Sequence, residues 1–219
     1  DACTLCDMCY MTKCPYVPPH EFNLDFPHLM LRHRAIEFKK GNVGFASKEL
    51  TKTDRNGKIL GLVAPIANWA SDRKNSITRP ILETVCGVHK DAKLPEFYSK
   101  SFLEQAKLTP IKINKNAPGY GRKVILYATC SVNFNNPKIG ISAQKVLALN
   151  GVATNIQYPA CCGMPQLEHG NISEVAGAAK EVAAKMRDYI DAGNQVIALT
   201  PSCALMLKFE WPLIVPDDE

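Results

Sequence analysis

Lys123-Val124-Ile125-Leu126-Tyr127-Ala128-Thr129 is an apolar, strand-forming run, and Cys130 follows it at once. Gly119 and Gly121, after Pro118, mark a boundary before it. A short continuous run of this kind reads as a buried strand. Downstream, Asn136-Pro137 opens a helix that closes at Asn150-Gly151. Val152–Gln157 reads as a second strand. Asn171 with Glu174 resembles a capping box and starts a helix ending at Gly193. Its apolar stripe is Ile172, Val175, Ala176, Ala179, Val182, Ala183, Met186, Tyr189 and Ile190. Gln195–Leu199 is a third strand, with a helix expected from Ala204. Strand and helix alternate as βαβαβα, which predicts an α/β domain over 119–219 with a parallel sheet and right-handed crossovers.

Four cysteines sit just beyond these strands. Cys130 follows the first, Cys161 and Cys162 follow the second by a short loop, and Cys203 follows the third after Thr200-Pro201-Ser202. Ligands of open parallel sheets bind beyond the carboxyl ends of the strands. Three strands therefore deliver four thiols to one rim. Adjacent cysteines bridge each other poorly, but both reach one polynuclear centre if the backbone turns sharply, and Gly163 supplies that turn. The bland alternative is a set of independent structural thiols with a chance doublet.

The other end of the chain carries Cys3, Cys6, Cys9 and Cys14, with Pro15 directly after. Three thiolates at C-x2-C-x2-C spacing turn toward one centre on a tight loop, and a trailing Cys-Pro belongs to the bacterial ferredoxin pattern. The last gap here holds four residues where that pattern has three. The alternatives are zinc, a redox dithiol or disulfides. Structural zinc usually takes separated C-x2-C pairs, a thioredoxin-like dithiol is a lone pair, and disulfides need an oxidising compartment that no secretory signal here implies. Soft thiolate sets select both iron–sulfur clusters and zinc, so zinc stays as the runner-up. Pro15, Pro18 and Pro19 predict extended backbone, and Asp25 caps a helix whose face holds Phe26, Leu29, Met30, His33 and Ile36 and which stops at Gly41. His28 and His33 read as surface or packing residues rather than ligands. Cys86 reads as a buried structural thiol.

The region 42–118 is helical and connecting. Its apolar residues fall at Leu60, Val63, Ile66, Ala67 and Ala70, then at Ile77, Ile81, Leu82 and Val85, with breaks or kinks expected at Pro65 and Pro80. With 46% hydrophobic and 21% charged residues, the composition is that of a globular protein. A net charge of +5 is too small to argue for nucleic acid, and no basic stripe interleaved with aromatics occurs. The longest apolar stretch, Ile59–Ala70, is too short to span a bilayer and contains Pro65 and Asn68. The chain opens on Asp1 with a motif already under way and closes on Asp217-Asp218-Glu219. A piece of a longer polypeptide is expected, with a further cysteine-rich run before Asp1.

Cys161-Cys162-Gly163-Met164-Pro165, with Cys130 before it and Pro201-Ser202-Cys203 after it, resembles the CCG (cysteine-rich) domain of iron–sulfur oxidoreductase subunits. That domain occurs in the B subunit of heterodisulfide reductase, in glycolate oxidase iron–sulfur subunits and in the C subunit of anaerobic glycerol-3-phosphate dehydrogenase. The order here, ferredoxin-type motif first, is most like the last. The resemblance implies three parts: a ferredoxin-like 4Fe-4S segment over 1–41, a helical connection over 42–118, and a CCG domain over 119–219 that is the first of two in the parent chain. It implies that Cys3, Cys6, Cys9 and Cys14 hold a 4Fe-4S cluster. Cys130, Cys161, Cys162 and Cys203 would hold a second centre. Met206 stands where the heterodisulfide reductase pattern has a further cysteine, which argues against a five-thiolate cluster, while four thiolates can still hold an ordinary cubane. The implied role is an electron-transfer subunit between a flavin-containing dehydrogenase and a quinone or another carrier. It would be cytoplasmic, and peripheral on the inner face of the cell membrane. The alternatives are catalytic disulfide reduction at the CCG centre and a zinc-stabilised interaction module. No acid, base or nucleophile constellation is visible, so the chain alone is not expected to transform an organic substrate.

Overall fold

The computed structural model describes residues 3, 5, 6, 8–12 and 14–216; the expectations drawn from Asp1 and Asp217–Glu219 lie outside them. Three parallel strands form the sheet: β1 (Lys123–Tyr127), β2 (Ala153–Gln157) and β3 (Gln195–Ala198), in the order β2-β1-β3. The central strand pairs Leu126 with Ile156 on one side and with Ile197 on the other. Its position explains the unbroken apolar run, because helices cover both faces. Ile125 and Tyr127 pack into one core with Val175, Ala179, Val182 and Met186. Leu126 and Ala128 pack into a second core with Phe102 and Val132. Alternate side chains of one strand thus serve two layers, as a period of two requires.

Twelve α-helices surround the sheet among the described residues. The first seven precede it: α1 (Met8–Met11), α2 (Phe26–Lys39), α3 (Phe45–Leu50), α4 (Thr53–Leu62), α5 (Ala64–Ser71), α6 (Thr78–Cys86) and α7 (Phe102–Leu108). The other five are α8 (Pro137–Leu149), α9 (Met164–Glu168), α10 (Ile172–Asp191), α11 (Pro201–Leu205) and α12 (Trp211–Ile214). Two π-helices, Ser131–Asn135 and Met206–Glu210, complete the set. The α10 stripe turns Val175, Ala179, Val182 and Met186 inward, and Asn171 caps the helix by accepting from the Glu174 N–H. No helix among the described residues is long and apolar enough to cross a membrane.

Several local expectations are corrected. The last helix before the π-turn begins at Pro201 rather than Ala204, because proline is preorganised for the first helical position. Cys203 therefore sits on a helical turn, not in a loop. Pro15 to Asn23 forms successive turns instead of extended chain, with Val17, His20 and Asn23 each donating a backbone bond three residues back. In α2 the buried residues are Pro27 and Leu31, whereas Phe26, Leu29 and Ile36 are exposed. Its inward edge includes Arg34, whose guanidinium reaches the carbonyls of Glu168 and Cys3. Hydropathy cannot assign an arginine inward, although its apolar stem packs there readily. Pro65 and Pro80 both sit in the first turn of a helix, α5 and α6, where the missing N–H costs nothing, and the break between α4 and α5 falls at Val63. The stripes of this region lie largely open: Ile77, Ile81 and Val85 are exposed, as are Leu62, Ile66 and Trp69. Cys86 is half-buried rather than buried.

Candidate metal centre

The four rim cysteines meet at the carboxyl edge of the sheet. The Cys162 and Cys203 sulfurs lie 3.2 Å apart, and those of Cys161 and Cys130 lie 3.6 Å apart. Cys161, Cys162 and Cys203 are buried and Cys130 is half-buried. The loops that carry them are pinned. The Tyr127 hydroxyl donates to the Ala160 carbonyl at 2.7 Å, and the Trp211 indole N–H donates to the Cys162 carbonyl at 3.0 Å. The Thr129 and Thr200 hydroxyls bond each other at 2.8 Å, tying the ends of β1 and β3 together. Gly163 has φ 86°, a left-handed turn that suits glycine, and its N–H points to the Cys161 sulfur. The π-helices start just past Cys130 and three residues past Cys203. Such wide turns concentrate at functional sites, and here each lies downstream of a thiol-bearing strand end.

Met206 is fully buried in the same core as Cys161, Cys162 and Cys203. A thioether thus lies beside the thiols, one turn beyond Cys203.

Residues outside the cysteine motifs also reach this rim, and nothing in local periodicity pointed to them. Asp54, in the first turn of α4, accepts from the Cys161 N–H at 2.9 Å and from the Tyr158 hydroxyl. Gln166 donates to the Thr51 carbonyl at 2.9 Å, fixing the same end of α4 to α9. Gly57 permits this approach, since a Cβ there would lie 2.4 Å from the Phe134 ring. The buried Thr53 hydroxyl has no well-formed hydrogen bond. It faces the sulfurs of Cys130 and Cys161 and favours their thiolate forms. Tyr158, immediately after β2, was the one member of this group whose place at a strand end was open to notice.

The electrostatics are those of a thiol cluster sharing protons. The Cys161 thiol is held well below its ordinary range because Cys130 and Cys162 donate to its sulfur, assisted by Thr53 and the Gly163 N–H. Cys130 and Cys162 are pushed up, first because each donates to Cys161 and then by burial. Burial also pushes up Tyr127 and Tyr158, which remain neutral donors, and raises Asp54.

The N-terminal cysteines are more open: Cys6 and Cys9 are exposed, and Cys3 and Cys14 are half-buried. The Cys14 N–H donates to the Cys9 carbonyl at 3.1 Å, closing the loop. Leu5, between Cys3 and Cys6, has φ 56° and packs against the core that holds Cys161, Cys162 and Cys203. His28 bonds Asp25 at 2.6 Å and Glu210 at 3.2 Å, a packing role. Among the described residues no three His, Cys, Asp or Glu side chains are spaced to hold a single metal ion.

Residues 124–208 match the family model of the cysteine-rich (CCG) domain. The C subunit of anaerobic glycerol-3-phosphate dehydrogenase from Escherichia coli K12 is 26% identical over 173 residues, covering 77% of this chain and 42% of that protein. Lactate utilization protein A of Bacillus thuringiensis is 30% identical over 99 residues, covering 44% of this chain and 38% of that protein. The chain thus spans less than half the length of these relatives. No solved structure matches. Residues 124–208 thus carry the match to the cysteine-rich (CCG) family model, and the chain is homologous to the C subunit of anaerobic glycerol-3-phosphate dehydrogenase and to lactate utilization protein A.

Proposed function

We propose that this chain is an iron–sulfur electron-transfer subunit of a multi-subunit oxidoreductase. It carries electrons from a flavin-containing dehydrogenase toward a quinone or another carrier, from a peripheral position on the inner face of the cell membrane. Cys130, Cys161, Cys162 and Cys203 hold one cluster. Cys3, Cys6, Cys9 and Cys14 hold a 4Fe-4S cluster in a ferredoxin-like segment over 1–41, joined through 42–118 to the CCG domain over 119–219. The name of the glycerol-3-phosphate dehydrogenase relative supports a dehydrogenase context. The observation that carries the reading is the gathering of four thiols from three strand ends into two sulfur pairs at 3.2 and 3.6 Å.

The residues fit such a group. All four donors are soft thiols, which suits iron–sulfur clusters. A buried hydroxyl without a proper partner, Thr53, is turned to the same sulfurs. When bound, a cluster supplies one-electron transfer. The protein's own part is to fix the thiols, exclude water from three of them, and set the hydrogen bonds around sulfur. Met206 in place of a further thiol favours relay over the disulfide-reducing alternative.

The test is anaerobic reconstitution with iron and sulfide, followed by metal and acid-labile sulfide analysis and EPR of the reduced protein. Two iron–sulfur centres per chain are expected. Purified protein that holds zinc and accepts no iron would leave the interaction module standing instead.

A further inference from the structure

The cysteine-rich domain does not build its own site alone. Thr53 and Asp54 belong to α4, outside residues 124–208. Three independent ties hold this helix end over the rim. Asp54 accepts from the Cys161 N–H and the Tyr158 hydroxyl, Gln166 grips the Thr51 carbonyl, and Gly57 lies flat on Phe134. Thr53, Asp54 and Cys161 also line one small cleft of about 210 Å³, with Gln166 on its wall. Within this arrangement the Thr53 Oγ1 atom is buried without a well-formed hydrogen bond. A buried hydroxyl that lacks a good acceptor is placed to donate to sulfur when negative charge builds there. The sulfurs beside it are those of Cys130 and Cys161.

We infer that Thr53 is the hydrogen-bond donor to sulfur of the group held at the rim, and that Asp54 is the positioning residue that sets the Cys161 backbone beneath it. The inference rests on the iron–sulfur reading of the rim. A hydroxyl donated to sulfur stabilises the more negatively charged, reduced form, because it compensates added charge on the sulfurs. Hydrogen bonds to the sulfurs are among the factors that set cluster potentials. Asp54 touches no sulfur. Its carboxylate accepts from the amide of Cys161, so its loss frees the loop that presents two adjacent thiols.

The experiment uses the full chain, reconstituted anaerobically, with Thr53→Val, Thr53→Ser, Asp54→Asn and Asp54→Ala beside the wild type. The EPR signal that disappears in Cys130→Ser identifies the rim cluster, and its midpoint potential is measured by redox titration. Thr53→Val, which keeps the shape and loses the hydroxyl, should keep its iron and shift to a more negative potential. Thr53→Ser should restore the wild-type value. Asp54→Ala should lose rim iron, with Asp54→Asn retaining more because its amide oxygen still accepts from Cys161. Wild-type protein that takes up no iron overturns the reading of the site and the inference together. A loaded wild type with Thr53→Val at the same potential overturns the Thr53 assignment alone. Equal rim iron in Asp54→Ala and wild type overturns the role of Asp54.

Discussion

Adding one methyl group at two glycines of the same domain should change stability in opposite directions. Gly163 has φ 86°, and a Cβ there would lie 3.3 Å from Cγ1 of the fully buried Val175. Holding an L-residue in the left-handed region costs roughly 1–2 kcal/mol, and Val175 must also yield a few tenths of an ångström. Gly177 lies in the second turn of α10, and a Cβ there meets nothing within 4 Å. Alanine is favoured over glycine in a helix interior by about 0.8–1.0 kcal/mol. In a protein of this size each kcal/mol moves the melting temperature by roughly 2–4 °C. Gly163→Ala should therefore melt about 2–8 °C lower and Gly177→Ala about 2–4 °C higher. Calorimetry on the metal-free, reduced proteins gives both values under one condition. A Gly163→Ala variant that melts at or above wild type would refute the argument, since the turn that aims Cys161 and Cys162 would then not need glycine.

Two further outcomes follow from the same geometry. Cys86→Ser should leave iron unchanged, because Cys86 lies on α6 away from the strand ends, whereas Cys130→Ser should lower rim iron; equal iron in both would mean the ligands are misplaced. His28 links α2 to Glu210: burial opposes its charge most, yet Asp25 and Glu210 together outweigh burial and raise its pKa. A raised pKa means that this stabilisation is full below the ordinary imidazole value of about 6.5 and is lost as pH climbs through the raised one. The melting temperature should fall over that interval in wild type and stay flatter in His28→Gln, and parallel curves would exclude the contact.

What was legible in the chain was what the local pattern enforces. Val124–Tyr127 is apolar at every position because β1 is central, and that pattern fixed the strand to within two residues. The four thiols were readable as one rim because each lies near a strand end, a position set by topology before any side chain packs. The roles of Thr53 and Asp54 were not readable, since they meet Cys161 across more than a hundred residues and are polar residues in a polar stretch. Arg34 and Arg79 show the same limit. Arg79 is 2% exposed and is held by the carbonyls of His89, Lys90 and Ala92, a burial no hydropathy pattern assigns. The stripes of α4 to α6 were visible as stripes, but a stripe does not say what will cover it, and Leu62 and Ile66 stay exposed.

The scattering of the rim cysteines along the chain would separate the maturation of the two proposed centres in time. Cys3 to Cys14 lie in one short stretch, so that segment has all its thiols as soon as it is made. Cys130, Cys161, Cys162 and Cys203 become neighbours only when three strands have paired, and Thr53 joins only when α4 has docked. Loading of the proposed second centre would therefore follow folding. Thiols that assemble only on folding stay open to air oxidation until they are loaded, so the order of folding, delivery and oxidation would decide whether the proposed rim centre forms.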